Sequence, residues 1–591
     1  MIRSLAEGKP AESSETVIAM LQARIGRMDS GPRWAVCSAA IFGQTFWLGG
    51  VAAILELPPS SEVDSWLSLL VQEEMIQPQP ESRLKKDKEY GFRHALIRDA
   101  AYLLLTKNDL RTGHRLAAEF LAAVKEPDSA APLTSVAQLH GEALAYHYQQ
   151  AQMFDKARDA LMRAGDAVVR LGASAEARVH YTAALAMIDQ VPDTEQNRRC
   201  KIDVLLRLVQ TGMLLDKHEE YLASLAVARA LLETLPGSDG VSAADRLRWA
   251  RLHYLYGHLY YYRGQNPEAI GYYRLVLPIA QEFGDQELLA VPAYSIGAAL
   301  AMRGYTNQAE PMLAQAIEPI MRYGAPMEWL RALLFYGHAL MALGRYAEGL
   351  EHMDRGHARA AELHNPEFML LSYVVRCSFF RTCGDWPEAV RCADTTRQLA
   401  EQIDNPLYVR VACTYQAWAL SYLGKTEEAA AQRGRALAID QAHGKQWILS
   451  SWFAAADCEI ALHAGRYAET IERAQALLPK LQAEGEFLSE MVTARALAVA
   501  RAVHEPGSTF APIDECIRAL TETGNLMEAA RTHLWGSWAA LQRGDRARAQ
   551  HHVELALRQF QHSGCGYAHG EAQRLAECIA ASPPSAAAAD K

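Results

Sequence analysis

The stretch Tyr256–Tyr273, YGHLYYYRGQNPEAIGYY, is echoed eighty residues later by Tyr336–Leu350, YGHALMALGRYAEGL. Each copy sets a small residue seven positions before a glycine and follows that glycine with a segment suited to start a helix. The same mark recurs at Gly264, Gly304, Gly344, Gly384, Gly424, Gly465 and Gly544, in steps of 40, 40, 40, 40, 41 and 79. An irregular turn near Gly507 (HEPGSTF) divides the last gap, so the spacing predicts eight stacked units. A repeat array of this kind is expected to bind rather than to catalyse.

About twenty residues after each turn lies a second residue that tolerates a left-handed backbone: Gly284, Gly324, His364, Asp404, Gly444, Gly485 and Gly564, with Gly524 at the same offset before Gly544. These positions predict helix C-caps, and therefore two helices per unit. Small residues at Gly257, Gly297, Gly337, Cys377, Ala417, Cys458 and Ser537 in the first helix let it approach the second, as do Ala269, Ala309, Ala389, Ala429 and Ala549 from the other side. Pro267 and Pro387 fall in the first turn of the second helix, where a missing N–H is harmless. Gly349 and Thr470 replace the alanine, and their units are expected to pack less closely.

These motifs resemble the tetratricopeptide repeat family in a long-unit form. The resemblance implies an all-α, right-handed superhelical solenoid of helical hairpins. Upstream, the helical patterns from Phe154 and Lys217 read as further hairpins, which places the array at 135–578. The polar insertions Asp193–Arg199 and Gly237–Asp245 read as loops, and SPPSAAAAD from Ser582 as part of a disordered tail, 579–591.

Half of the 591 residues are hydrophobic, yet no apolar run reaches eighteen and no signal-peptide pattern opens the chain. A cytoplasmic protein with no membrane contact is the expectation. Ten cysteines, none in a CxxC pair, argue for reduced thiols rather than zinc or disulfides. A net charge of −10 argues against a nucleic-acid surface, and the basic run RLKKDKEYGFRH (Arg83–His94) reads as a solvated wing. Neither a phosphate-binding loop nor a kinase, metalloprotease or serine-hydrolase motif is found, so no catalytic residue, cofactor or metal is assigned and the chain reads as no enzyme. The near miss at Gly424-Lys425-Thr426 is a helix–turn–helix junction.

Residues 15–130 differ from the rest. Glu15–Met28, Pro32–Phe42 and Glu62–Glu74 read as helices, followed by strand, loop, strand and helix through MIQPQPESRLKKDKEYGFRHALIRDAAYLLL. ETVIAMLQARIGRMDSGPRWAVCSAAIFGQTFW and YGFRHALIRDAAYLLL look like the winged-helix module that follows the nucleotide-binding domain of bacterial STAND-type signalling ATPases. Relatives of that kind join a serine/threonine kinase or nucleotide cyclase to the ATPase and a repeat array. Residues 1–14 then read as a remnant or linker of the ATPase module. The resemblance implies that His94, with Arg98 and Asp99 beside it, is a vestigial nucleotide sensor; a histidine bonded within the wing is the competing reading.

In such solenoids the first helices line the concave side. Residues 13, 10, 6, 3 and 2 before each turn glycine would face it. This gives Arg251, Tyr254, His258, Tyr261 and Tyr262, then Tyr294, Arg331, His338, Arg381, Trp418, Tyr422, Trp452, Glu459 and Trp538. An aromatic strip with scattered positive charge suits an acidic peptide or helix, against the alternative that these rings pack between units. The expected function is a scaffold or regulatory sensor array binding a protein or peptide, with a nucleotide-binding or kinase domain as a partner in trans. The alternatives are a transcriptional regulator of the maltose-activator type and the C-terminal part of a kinase–ATPase.

Overall fold

The computed structural model describes residues 11–582 except 59–60, 85–86, 124–132, 171–172, 213–217, 236–241, 325, 444–446 and 448; side chains are described for these apart from 11–16, 61 and 133–140. The cap expected at Gly444 and most of the expected tail lie outside the described residues. Two compact units divide the chain, Met1–Thr211 and Gly212–Lys591.

In the first unit, helices α1 (Ala11–Gly26), α2 (Ser30–Phe42), α3 (Leu48–Ile54), α4 (Ser61–Gln72) and α5 (Ala95–Tyr102) accompany three strands, β1 (Thr45–Trp47), β2 (Ile76–Pro78) and β3 (Glu89–Phe92). The strands form an antiparallel sheet of order β1-β3-β2, with Phe46 opposite Tyr90 and Ile76 opposite Phe92. Val36, Phe46, Leu67, Ile76 and Phe92 meet in one core. Strand β1 and helix α3 were not anticipated, because three residues cannot display a strand period. Three cations of the basic run pair locally: Arg83 with Glu89 at 2.8 Å, Lys88 with Asp64 at 2.9 Å and Arg93 with Glu74 at 3.3 Å. Helices α6 (Lys107–Ala123), α7 (Leu133–Gln150), α8 (Phe154–Val169), α9 (Ser174–Ile188) and α10 (Glu195–Thr211) complete the unit. Helix α10 begins inside the stretch Asp193–Arg199, so that loop is shorter than expected.

The second unit opens with α11 (His218–Glu233) and continues as eight hairpins. They are α12/α13 (Ala243–Tyr262, Asn266–Phe283), α14/α15 (Gln286–Arg303, Thr306–Tyr323), α16/α17 (Pro326–Ala342, Tyr346–Glu362), α18/α19 (Pro366–Cys383, Trp386–Gln402), α20/α21 (Pro406–Tyr422, Thr426–His443), α22/α23 (Ser450–His463, Tyr467–Glu484), α24/α25 (Phe487–His504, Ala511–Glu522) and α26/α27 (Leu526–Gln542, Arg546–Ser563). A last helix, α28 (Gly566–Ala581), extends into the stretch read as tail. This is an all-α solenoid of tetratricopeptide-like hairpins. Each turn glycine has positive φ, from 70° at Gly465 to 92° at Gly507, which only glycine adopts without strain. His364 and Asp404 take the same region at 50° and 51°. Gly324 does not; with φ −75° and ψ 158° it ends α15 extended, and Pro326 opens the next helix. Ser242 caps α12 by accepting from the Asp245 amide at 3.2 Å, so the loop expected through Asp245 ends earlier.

One position expected to pack loosely packs closely instead. A Cβ on Gly349 would lie 2.7 Å from the Gly337 carbonyl oxygen, and one on Gly337 would lie 2.8 Å from that of Gly349. Two glycines face each other where the other hairpins set glycine, alanine, serine or cysteine against alanine or threonine, so the backbones themselves touch. At the other exception, Thr470 is fully buried and turns its hydroxyl back to the Arg466 carbonyl at 3.0 Å.

The array turns tightly enough to meet itself. Arg303 donates twice to the Gly485 carbonyl, at 2.7 and 3.0 Å, the Asn307 amide donates to the Thr523 carbonyl at 3.0 Å, and Asn266 donates to Glu486 at 3.2 Å. Cys565 donates to the Cys383 carbonyl at 3.1 Å. The concave side is therefore closed into a channel that the side chains of the first helices largely fill, rather than an open groove.

Candidate functional site: the inner channel of the solenoid

Two polar clusters occupy the channel, both inside the second unit. The first surrounds Arg331 on α16, which is 3% exposed. Its guanidinium donates to His258 Nε2 and stands 5.9 Å from the ring centre of Tyr294 and 6.0 Å from that of Tyr261. Because arginine can only donate, His258 accepts at Nε2, and its proton sits on Nδ1, 3.2 Å from the Tyr273 hydroxyl. Burial and the neighbouring Arg331 both push the His258 imidazolium well below its usual range, so the ring is neutral. Tyr254 donates to Glu328 at 3.1 Å, and Glu328 lies 4.0 Å from Arg331.

The second cluster joins five first helices, α18, α20, α22, α24 and α26. Arg495 on α24 bridges Glu459 on α22 and Glu528 on α26, at 2.8 Å each. Arg381 on α18 donates to Glu528 across the superhelical turn, faces Glu459 at 3.9 Å and lies 4.1 Å over the Trp418 ring. Arg531 stacks near Trp386 at 4.8 Å and reaches Glu571 at 3.4 Å. Tyr422 and Trp535 donate to Glu459, the latter at 3.3 Å. Burial works to raise the Glu459 carboxyl, but Arg495 and Arg381 outweigh it and hold it at about 2. For Glu528 burial is likewise outweighed, by Arg381, Arg495 and Arg531, and the carboxyl stays well below the usual carboxylate range. Several N–H groups of this layer make no hydrogen bond: Arg381 Nε and Nη2, Arg495 Nε, Arg531 Nε and Trp418 Nε1.

Two cavities touch these clusters. One of about 80 Å³ lies among His338, Ser378, Arg381, Tyr415, Trp452 and Glu528. The other, of about 300 Å³, lies among Tyr422, His463, Arg531, Trp535, Trp538 and Glu571.

Of the residues assigned to the groove, Tyr254, His258, Tyr261, Tyr262, Tyr294, Arg331, Arg381, Trp418 and Glu459 are buried, while His338, Tyr422, Trp452 and Trp538 are half-buried. His338 pairs with Ser378 at 2.9 Å, and Trp452 donates to Tyr415 at 3.1 Å. Arg251 is exposed, apart from both clusters. In the first unit His94 is exposed at the start of α5 and caps nothing with its side chain, and Arg98 pairs with Asp99 at 2.5 Å. The sequence reading missed Glu328, Arg495, Glu528, Arg531 and Trp535. Glu328 and Glu528 both lie sixteen residues before a turn glycine (344 − 328 and 544 − 528), three beyond the furthest offset considered and on the same helical face. Extending the series by that step finds both.

Among the described residues no group of three or more His, Cys, Asp or Glu is placed to hold a metal ion, and no helix is long and apolar enough to cross a membrane. The fold and channel define a helical-repeat protein with an enclosed, charged and aromatic interior. Neither a protein-family model nor a curated protein matches the chain. Solved structures similar to it include a STAND protein with a tetratricopeptide repeat sensor from Pyrococcus horikoshii, at 15% identity and TM-score 0.47, covering 79% of this chain and 66% of that one. This chain thus spans just under two thirds of that protein's length. Also similar are aspartyl phosphate phosphatase F from Bacillus subtilis (12% identity, 68% and 96% covered, TM-score 0.38) and the quorum sensor NprR from B. thuringiensis (15%, 61% and 99%, TM-score 0.37).

Proposed function

We propose that the chain is a regulatory sensor: the channel of the solenoid takes a peptide or small acidic ligand, and the N-terminal region docks a protein partner. The observation that carries this reading is the buried layer of arginines whose N–H groups are left unbonded beside cavities. Unbonded guanidinium donors in a low-dielectric interior are costly to keep, and an anionic ligand would satisfy them. The same layer supplies a route for coupling. Arg381–Glu528, Arg303–Gly485 and Asn307–Thr523 link early hairpins to late ones, so a ligand that exchanges any of these bonds alters the pitch of the array.

Residues 15–130 serve as a winged-helix module and 135–578 as the repeat region, a reading supported by the small antiparallel sheet flanked by helices. The partner is a nucleotide-binding or kinase domain acting in trans, to which the exposed His94 is accessible. Commitment of Arg83, Lys88 and Arg93 to carboxylates disfavours a DNA-binding role.

The test is to lock the turn. Asn307→Cys with Thr523→Cys places thiols on two residues joined by a backbone hydrogen bond of 3.0 Å. A random pentapeptide library is screened by fluorescence anisotropy against the full chain, oxidised and reduced. Binding that weakens on oxidation and returns with reductant supports the sensor; binding indifferent to the lock, or no binding of library peptides or of small aromatic acids by either form, refutes it.

A further inference from the structure

The larger cavity is built differently from the rest of the channel. At about 300 Å³ it stands at the lower limit of ligand pockets, room for one ring and a short chain. Trp535 and Trp538 meet edge to face at 5.6 Å and 89°, and the His463 ring packs 4.6 Å from Trp535 and 3.9 Å from Tyr422. Such a corner offers both faces and edges to a further ring.

Its polar end is Arg531, 1% exposed. Arg531 Nε makes no hydrogen bond, and Nη2 donates to the Thr382 carbonyl at 3.2 Å. The carboxylate partner, Glu571, stands 3.4 Å from Nη1, where a charge-assisted bond is about 2.7–2.9 Å. Glu571 belongs to the last helix and its side chain is a quarter exposed, so it can return to water at little cost. His463 Nε2 also makes no hydrogen bond. A buried guanidinium with a long, replaceable carboxylate beside an aromatic corner is the pattern of an anion site for a ligand with a ring.

We propose that this cavity binds an aromatic carboxylate, its ring against Trp535 and Trp538 and its carboxylate taking Arg531 from Glu571. The inference rests on the reading of the channel as the ligand-receiving part of the protein. Two sources share this chemistry, a free aromatic acid and the C-terminal aromatic residue of a peptide.

Isothermal titration of the full chain with 3-phenylpropionate, its amide, and a pentapeptide ending in phenylalanine with a free or amidated terminus tests it. The acid or the free-terminus peptide is expected to bind, and the matching amide at least about tenfold more weakly. Glu571→Gln removes the competing carboxylate while keeping an amide oxygen that can accept from Arg531, and should tighten the acid form about two- to fivefold, measured on protein whose circular dichroism matches the parent. Trp538→Ala should weaken it. Binding by the free acid alone assigns the source to a metabolite, and by the peptide alone to a chain terminus. Equal binding of acid and amide, an affinity unmoved by Glu571→Gln, or no binding by any probe overturns the proposal. Library peptides that bind elsewhere, lose affinity on locking the turn and ignore Glu571→Gln would leave the sensor reading standing while this one fails.

Discussion

Replacing Glu528 by glutamine removes the carboxylate shared by two buried guanidiniums without opening a cavity. Glu528 is 4% exposed, accepts from Arg381 and takes a 2.8 Å bond from Arg495. Its neighbour Glu459 provides a scale: a carboxyl held at about 2 instead of 4.5 gains about 3 kcal/mol at neutral pH. Glu528 is held down by the same arginines, and deleting one partner of a buried pair costs about 3–5 kcal/mol, because the remaining charges stay desolvated. Glu528→Gln should therefore lose about 3–5 kcal/mol in urea unfolding followed by far-ultraviolet circular dichroism. Hydrogen exchange should quicken in α18 and α26, and α1–α10 should be unaffected. The pH dependence has a defined sign. Both carboxyls are depressed in the fold, so their contribution is complete above about 4.5 and is lost as pH falls through that value, toward about 2 for Glu459 and further for Glu528, a window in which the unfolded chain takes protons that the folded one refuses. The variant should show a shallower loss across this window. A variant within about 1 kcal/mol of the parent, or with an unchanged acid limb, would refute the claim that this network ties the turn together.

Two further outcomes are expected. Gly349→Ala would press a methyl onto the Gly337 carbonyl and the Met341 amide nitrogen at 2.7 and 3.2 Å, costing about 1–3 kcal/mol, whereas Gly271→Ala, on an exposed helical position with nothing within 4 Å, should gain about 0.5–1 kcal/mol; thermal melts of the pair should shift in opposite directions. In the first unit, His114 and His147 share a bond of 2.8 Å between their Nδ1 atoms, and burial lowers them to about 4 and about 3. Both are neutral in the fold and take protons near 6.5 when unfolded. Stability of this unit should therefore fall as pH drops from about 6.5 toward 4, and His114→Phe with His147→Leu should flatten that slope in a pH series of melts.

The repeat was legible because its signals are local. A left-handed turn needs glycine at Gly264 or Gly384 whatever surrounds it, and a helix needs a small residue wherever its partner crosses, so period, helix count and the inward face of the first helices follow from spacing alone. The same face rule placed Tyr254, Arg331, Arg381 and Glu459 on the channel wall. Contacts across the superhelical turn were not legible. Arg381 and Glu528 are 147 residues apart, and their meeting depends on small rotations accumulated over several hairpins, none of which has a mark in the sequence. That accumulated pitch turns an exposed aromatic strip into an enclosed, charge-paired interior. It also decides that Arg531 ends beside Glu571, from the closing helix, at the edge of a cavity.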